Sequence, residues 1–528
     1  MSPPILDTVI VGGGLCGLAL ANSLHEQGHS FALYEARTRL GGRILSMASN
    51  GMALDLGPTW FWPDAQPRLH KLLADLGLAS FQQHDNGSVL RLVDHDKHPD
   101  TLRVNDLHGG AQRLAGGMGT LVAALANTLP ANTIHLAQEL ISIRDLGTQV
   151  ELLFRCSETT TIIRARQAVL AIPPRLVAQQ VRFEPALDEA MRAALQSTPT
   201  WMADKAKVVV TFDQAFWRAA GESGNAFVEH EQAVLGEIFD ACDASGQHAA
   251  LGGFFALTPQ FRASVDPSCM PMLISSQLVQ VFGSQAEHGE QHLQDWSTEP
   301  FTCSTLDLTP QDKHPEYGNP HLRRSLWSNK LFLGSSETAT YGGGYMEGAL
   351  EAAARIQRSL ALDAKNTTPH ASDNAVYLTQ FGAQVAALRS VAIERYRQHL
   401  QRYLAAQTKE QLTQRALLDS VEQVYSEALD QLGALPLDTT AIGVQHGRSD
   451  LTPNVLSAFN GFNSALLEEV IQFNRGSCAI SNFPNEHDLD KDYVDTISRD
   501  LAAAWHEFAI NVNAQLLNKN QTHVVMAK

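Results

Sequence analysis

A glycine-rich stretch beginning at Gly12 limits what this 528-residue chain can fold into more than any other feature. The run ILDTVIV (5–11) is β-branched and apolar, GGGLCG follows at once, and LALANSLHEQG continues with apolar spacing that predicts a helix ending at Gly28. FALYE then reads as a second strand ending at Glu35. Strand, glycine turn, helix and strand in that order predict an α/β fold with a Rossmann-like layer. Within G-x-G-x-x-G, Gly12 permits a tight turn, Gly14 lets backbone approach a pyrophosphate, and Gly17 lets the helix close on the strand. Leu15 and Cys16 open that helix, whose N-terminus would face the phosphates. Glu35 is placed to accept hydrogen bonds from an adenosine ribose and would repel a 2′-phosphate. A glycine turn without a ligand is the plainer alternative, against which the acidic residue in register argues.

Charge and cysteine usage exclude several classes. The chain is 44% hydrophobic and 18% charged, a globular profile, and its net charge of −17 would repel nucleic acid. Six cysteines (Cys16, Cys156, Cys242, Cys269, Cys303 and Cys478) lie far apart with no Cys-x-x-Cys pair, so neither a disulfide framework nor a zinc site is expected. His95 with His98, and His288 with His292, lack a completing cysteine or acid, so no metal is expected there. No run of about 18 apolar residues offers a membrane span, and the first residues read as a strand rather than a leader. The expectation is a cytoplasmic protein.

Further apolar runs, AVLAI at 168–172, KVVVTF at 207–212 and KLFLG at 330–334, read as buried strands, so the first 362 residues are α/β. DAKNTTPHASDN (363–374) is polar and aperiodic, as a linker would be. From 375 to 528 apolar residues recur at helical spacing in three stripes, Phe381 to Tyr403, Leu417 to Leu432 and Val494 to Val512. These predict a separate helical region whose apolar faces pack together, on the α/β body, or across a homodimer interface.

Two further segments carry chemistry. EARTRLGGR sets Arg37, Arg39, Gly41, Gly42 and Arg43 directly after Glu35, giving close backbone approach and charge-assisted donors for a further phosphate. Lys207 opens KVVVTF, where a buried ammonium is costly without a partner or a depressed pKa. A head group reaching solvent beside Lys205 is the alternative for that lysine.

With these residues in place the chain resembles the flavin-dependent amine oxidases, the group that contains the monoamine oxidases. EARTRLGGR with LDLGPTWFWP, RLAGGMG (113–119), AVLAIPPRLV (168–177), KVVVTFDQAFW (207–217), DWSTEPF (295–301) and, most specifically, LFLGSSETATYGGGYMEGALEAAARI (331–356) are similar to that family's motifs. The likeness spans about residues 5–360 and leaves the helical tail unmatched. It implies a discontinuous FAD-binding domain (1–63, 112–188 and 301–362) interleaved with a substrate domain (64–111 and 189–300), the glutathione reductase/monoamine oxidase arrangement. FAD would be held by Gly12, Gly14, Leu15, Cys16, Gly17, Glu35, Arg37, Gly42, Arg43, Gly57, Pro58, Thr59, Leu140, Trp296, Glu337 and Met346. The N–H groups of Met346, Glu347 and Gly348 would face the flavin pyrimidine edge, and Lys207 would reach flavin N5 through a water.

Two departures accompany the likeness. The family's covalent flavin cysteine falls on Thr305, which implies non-covalent FAD. Of the two facing aromatic walls, Tyr345 is kept and the other falls on Leu306; Trp60, Phe61 and Trp62 are candidates to replace it in part, core or lid packing being the commoner role of such a cluster. The activity implied is oxidation of a small-molecule amine to an imine by hydride transfer, with O2 reoxidising the flavin to give hydrogen peroxide. Lys207 and Tyr345 would be the catalytic residues. Rivals are an L-amino-acid oxidase, a superfamily desaturase or dehydrogenase, and a flavin-binding scaffold whose tail binds a partner protein.

Overall fold

The structure is a computed structural model describing residues 5–104, 106–310, 314–364, 374–405, 411–437, 443–445, 447–477, 480 and 483–524. It divides into two compact units, Met1–Ala353 and Ala354–Lys528. Most of the polar stretch 363–374 and the side chain of Cys478 lie outside the described residues.

The first unit is built on two sheets. In the first, strand Leu6–Val11 pairs in parallel with Phe31–Tyr34 on one side and with Thr159–Leu170 on the other. Ile134–His135 and Leu331–Leu333 extend the parallel set at its two ends. Val9, Ile10, Leu33, Ala168 and Val169 are fully buried, which is why these strands read as unbroken apolar runs rather than alternating ones. The early half of Thr159–Leu170 turns instead to an antiparallel partner, Val150–Cys156, which leads through Glu139–Asp145 to Arg182–Glu184. Strand order reverses direction between Leu6–Val11 and Thr159–Leu170. The crevice outside the carboxyl ends of those two strands is therefore the place where an open α/β sheet takes a ligand.

The second sheet has seven strands in the order Glu290–Asp295, Ala206–Phe212, Ala249–Phe255, Leu235–Asp240, Glu222–Val228, Ser88–Leu92 and Asp100–Leu102. Period-two alternation separates its faces. Val208, Val210, Ile238 and Leu251 pack on Ile274, Leu278 and Val281 of helix Met270–Phe282. On the opposite face, Val209, Ala250 and Phe239 pack on Met52, Leu54 and Leu56 from the segment that follows the glycine turns. Lys207 shares this second face with Val209, and the register sets Lys207, Phe254 and Glu237 side by side across three strands.

The second unit is helical, with Asn374–Ser390, Ala392–Ala405, Leu412–Ala434, Phe462–Gly476 and Lys491–Val524 as its main helices. The three sequence stripes meet in one core, in which Val385, Tyr396, Val421, Val424, Ile497 and Val512 are completely buried. Tyr425 stacks on Phe508 at 4.3 Å. Among the described residues no helix is long and apolar enough to cross a membrane.

Candidate active site

Two glycine turns form one end of a long cavity in the first unit. Gly12 has φ +107°, and a Cβ there would strike the Ala171 carbonyl, so only glycine lets strands Leu6–Val11 and Thr159–Leu170 come this close. A Cβ on Gly17 would strike the Gly12 carbonyl, which explains the close seat of helix Leu15–Glu26 on its strand. At Gly14, by contrast, a Cβ would meet nothing within 4 Å. Gly14 also N-caps the helix without any side-chain cap, leaving first-turn N–H groups and the positive dipole end at the cavity wall beside Leu15 and Cys16. The second turn backs the first: Gly41 N–H donates to the Gly13 carbonyl at 2.8 Å, and Arg39 donates to the Gly42 carbonyl at 2.9 Å.

Glu35 closes the second strand, 5% exposed, on the same wall. Its two oxygens accept from Gly13 N–H (2.6 Å) and Arg37 N–H (2.9 Å), which orients the carboxylate and leaves further lone pairs for a hydroxyl. Arg37 donates to Glu299 (3.0 Å) and Thr302 (2.8 Å), so its main structural effect is to tie the 299–302 segment to the cavity wall. Leu140, fully buried, lines the cavity near this end. The uncapped N–H row, the open Gly14 cradle and the oriented Glu35 carboxylate fit a dinucleotide such as FAD.

The opposite end is organised around Lys207, 2% exposed. Its Nζ donates to the Gly57 carbonyl at 2.9 Å and to Thr59 Oγ1, and it lies over the rings of Phe239 (5.3 Å) and Phe254 (5.5 Å). Gly57 is required because a Cβ would strike the Arg43 carbonyl. Desolvation lowers the Lys207 pKa to about 7, with the nearby Asp55 carboxylate opposing that fall. Asp55 is itself buried and its pKa is raised by desolvation, although it accepts from Ser46 and from Met118 N–H (2.9 Å). The sequence alternative of a solvent-reaching Lys207 is therefore corrected. Lys205 is the lysine that stays partly exposed, paired with Asp204 at 2.8 Å.

Pro58, Thr59, Trp60, Trp62, Trp296, Tyr345 and Met346 all line the cavity. Trp296 donates to the Leu56 carbonyl (3.1 Å), and Trp60 donates to Gln83 (2.8 Å). Phe61 is fully buried and belongs to the core, so only the flanking tryptophans of the Trp-Phe-Trp cluster face the site.

Several expected roles are redistributed. Glu337, 0% exposed, does not line the cavity; it forms a two-pronged pair with Arg43 (2.6 and 3.1 Å), and Arg43 lines the cavity in its place. Burial alone would raise the Glu337 pKa, but the Arg43 guanidinium holds it below the usual range. Gly348 N–H donates to the Gly342 carbonyl, so it is not offered to the cavity. The Glu347 carboxylate caps another helix, Pro67–Asp75, accepting from Arg68 N–H (3.2 Å) and Leu69 N–H (3.0 Å).

Leu306 is the clearest correction. It is exposed and absent from the cavity lining, on a turn of 3-10 helix, Thr305–Leu308, that Asp307 pins by accepting from Ser304 (2.7 Å), Arg175 (2.7 Å) and Thr200 N–H (3.0 Å). The aromatic ring beside Tyr345 in the cavity is Trp201, at 6.5 Å. No spacing rule singles out Trp201. Its position follows from backbone bonds, its carbonyl accepting from Arg43 (3.1 Å) and its N–H donating to Glu337.

A family model for flavin containing amine oxidoreductase matches residues 91–356, half of the chain. The chain belongs to the flavin-containing amine oxidase family. It is an oxidoreductase. A second model, for an NAD(P)-binding Rossmann-like domain, matches residues 10–76 and covers the glycine turns. Flavin-containing amine oxidase B of Mus musculus is 24% identical over 458 residues, covering 67% of this chain and 86% of that relative. Among solved structures, wild-type putrescine oxidase bound to putrescine aligns with a TM-score of 0.57 at 19% identity, over 69% of this chain and 100% of its own. Cyclohexylamine oxidase from Brevibacterium oxydans aligns at 0.56 and 20%, over 68% and 98%. These structural likenesses show the fold of this flavin amine oxidase.

Proposed function

We propose that this chain oxidises an amine to an imine with non-covalently held FAD, dioxygen being the electron acceptor and hydrogen peroxide the second product. The observation that carries the reading is Lys207, buried at the end of a cavity whose other end is the uncapped glycine-turn helix. Bound FAD supplies the two-electron acceptance from the carbon–nitrogen bond that no side chain here provides. The protein groups orient and seal. Trp201 and Tyr345 give the amine aromatic surfaces, Trp296 and Met346 narrow access, and exclusion of bulk water strengthens each polar contact. Lys207 Nζ, with its pKa near neutrality, can hold a water or pass a proton without placing a permanent positive charge beside a cationic substrate. Released imine would hydrolyse to a carbonyl compound and ammonia or an amine.

Non-covalent attachment is supported by the sulfur positions. Thr305 is exposed and donates to Gln179 at 3.0 Å, while the buried Cys303 thiol is pushed up to about 12 by desolvation and lies outside the cavity lining. A plain amine is favoured over an amino acid because each cation lining the cavity is engaged: Arg37 by Glu299, Arg43 by Glu337, Lys205 by Asp204, and Lys207 by Gly57 and Thr59. Among the described residues lining the cavity none is left for a substrate carboxylate. Among the described residues Cys156, Cys242, Cys269 and Cys303 form no disulfide, which suits a reducing compartment such as the cytoplasm. Stopped-flow reoxidation is the test: Lys207→Met should slow the reaction of reduced enzyme with oxygen by at least about tenfold, within the range general acid–base groups contribute. An unchanged rate would remove the lysine from the chemistry.

A further inference from the structure

The tryptophans at the Lys207 end of the cavity are held from behind by a short turn, residues 106–110. Phe61 and Gln112 exchange two backbone hydrogen bonds (2.9 and 2.8 Å), and alternation along the extended segment puts Trp60 and Trp62 on the side opposite the buried Phe61. Both tryptophans line the cavity. His108 is the residue of the turn that meets them. Its carbonyl accepts from Trp62 Nε1 at 2.7 Å, and its ring lies 4.8 Å from that of Trp60, tilted by 36°. Trp60 carries the ring layer on toward the lysine: it meets Phe239 edge-on at 4.6 Å, and Lys207 Nζ lies over that same Phe239 at 5.3 Å.

His108 is in turn fixed by Asp85. The carboxylate accepts from His108 N–H at 3.0 Å and meets ring Nδ1 at 2.6 Å, while Asn225 of the second sheet donates to it at 3.0 Å. Burial alone would raise the Asp85 pKa, but the hydrogen bonds from His108 hold it below the ordinary carboxylate value. The acceptor is therefore ionised, and Nδ1 carries the proton toward it. The two side chains are only 9% and 12% exposed, whereas Asp106, Gly109 and Gly110 around them are exposed. A turn so exposed takes its position from its few inward groups. A two-point, charge-assisted hydrogen bond in a nearly dry setting is a strong restraint on one of them.

We infer that Asp85 and His108 form a positioning pair for amine binding, holding Trp60 and Trp62 as one fixed wall against which the apolar body of the amine packs. The pair thereby sets the affinity for amines long enough to reach that wall. Neither residue lines the cavity, so both act through the indoles. Gln83, which accepts from Trp60 Nε1 and donates to the Asp240 carbonyl (2.8 Å each), holds the edge of one indole; His108 is the point both indoles share. This assignment rests on the amine-oxidase reading of the same cavity.

Anaerobic flavin-reduction titrations of the FAD-loaded protein with hexylamine and ethylamine, beside tryptophan emission of the FAD-free protein, test the pair. Asp85→Ala should raise the apparent Kd for hexylamine about 3- to 10-fold, the size of one aromatic contact, and leave the limiting rate and the ethylamine Kd within about twofold. His108→Ala should do the same, so the comparison does not depend on one variant folding. The emission of Asp85→Ala should move to longer wavelength, and that shift should vanish in a Trp60→Phe, Trp62→Phe background. Equal weakening of both amines, or of neither, overturns the proposal. So does emission that stays in place, or a shift that survives the loss of both tryptophans. Wild type that neither amine reduces overturns the amine-oxidase reading instead, and the emission comparison then still decides whether the pair positions the indoles.

Discussion

Lys207 is the residue on which electrostatics and stability meet. Its pKa falls from the ordinary lysine value to about 7 in the folded protein, so between about pH 7 and 10 the unfolded chain binds the proton and the folded chain does not. Stability should therefore rise with pH through that window, by up to about 1.4 kcal/mol per unit from this group, and the cost of the buried charge is complete below it. Lys207→Met removes the dependence. Denaturant unfolding of both proteins at pH 7.5 and 9.5 should show the wild type gaining about 2 kcal/mol relative to the variant; parallel behaviour would show that Lys207 stays charged when buried. The lysine itself was legible, because an ammonium in an apolar run is rare enough to notice. Its partners were not: Gly57 and Thr59 lie about 150 positions away, and only tertiary packing brings them to Nζ. The misplacement of Leu306 has the same origin. A motif position carried no information on Asp307, whose contacts to Ser304, Arg175 and Thr200 hold the neighbouring side chain outside.

At the scale of elements, the two glycines of the first turn separate binding from folding. Gly14 has backbone angles that alanine adopts readily (φ −75°, ψ −177°), and a Cβ there enters open space. Gly14→Ala should keep the stability of the FAD-free protein within about 1 kcal/mol while lowering FAD affinity at least about tenfold. Gly17→Ala drives a methyl group into the Gly12 carbonyl and should cost about 1–3 kcal/mol of stability before any ligand is added. Paired unfolding curves and FAD titrations check both, and equal effects in the two variants would contradict the division. Glu347 supplies a second case. Because its carboxylate caps helix Pro67–Asp75, Glu347→Ala should destabilise that segment by about 1–3 kcal/mol. Strand and helix signals around Gly12 were readable because apolar period and turn chemistry agreed. Glu222–Val228 was not readable as a strand. Its ESGNAFV sequence buries Ser223 and Asn225, whose side chains donate to the Ser88 carbonyl and to Asp85 from another part of the chain.

Across the whole molecule, the chain forms two compact units with separate cores. All the cavity-lining residues fall in the first. Calorimetry should therefore resolve a transition that FAD raises and one from the helical unit that it leaves in place, since a ligand stabilises only what binds it. A single transition shifted as a whole would mean that the units unfold together. The helical tail was foreseen as packed stripes, and its stripes do meet in one core, because helical periodicity is a local signal that survives without knowledge of partners. The boundary was less visible: it falls at Ala353–Ala354 inside helix Met346–Ala364, where neither composition nor periodicity changes. One titration tests the first unit directly as a site of flavin-mediated amine oxidation. Protein loaded with FAD and held without oxygen should lose its yellow absorbance on addition of hexylamine and recover it, with one peroxide per flavin, when air is admitted. A flavin that stays oxidised through that titration and through a broad panel of amines would contradict the account.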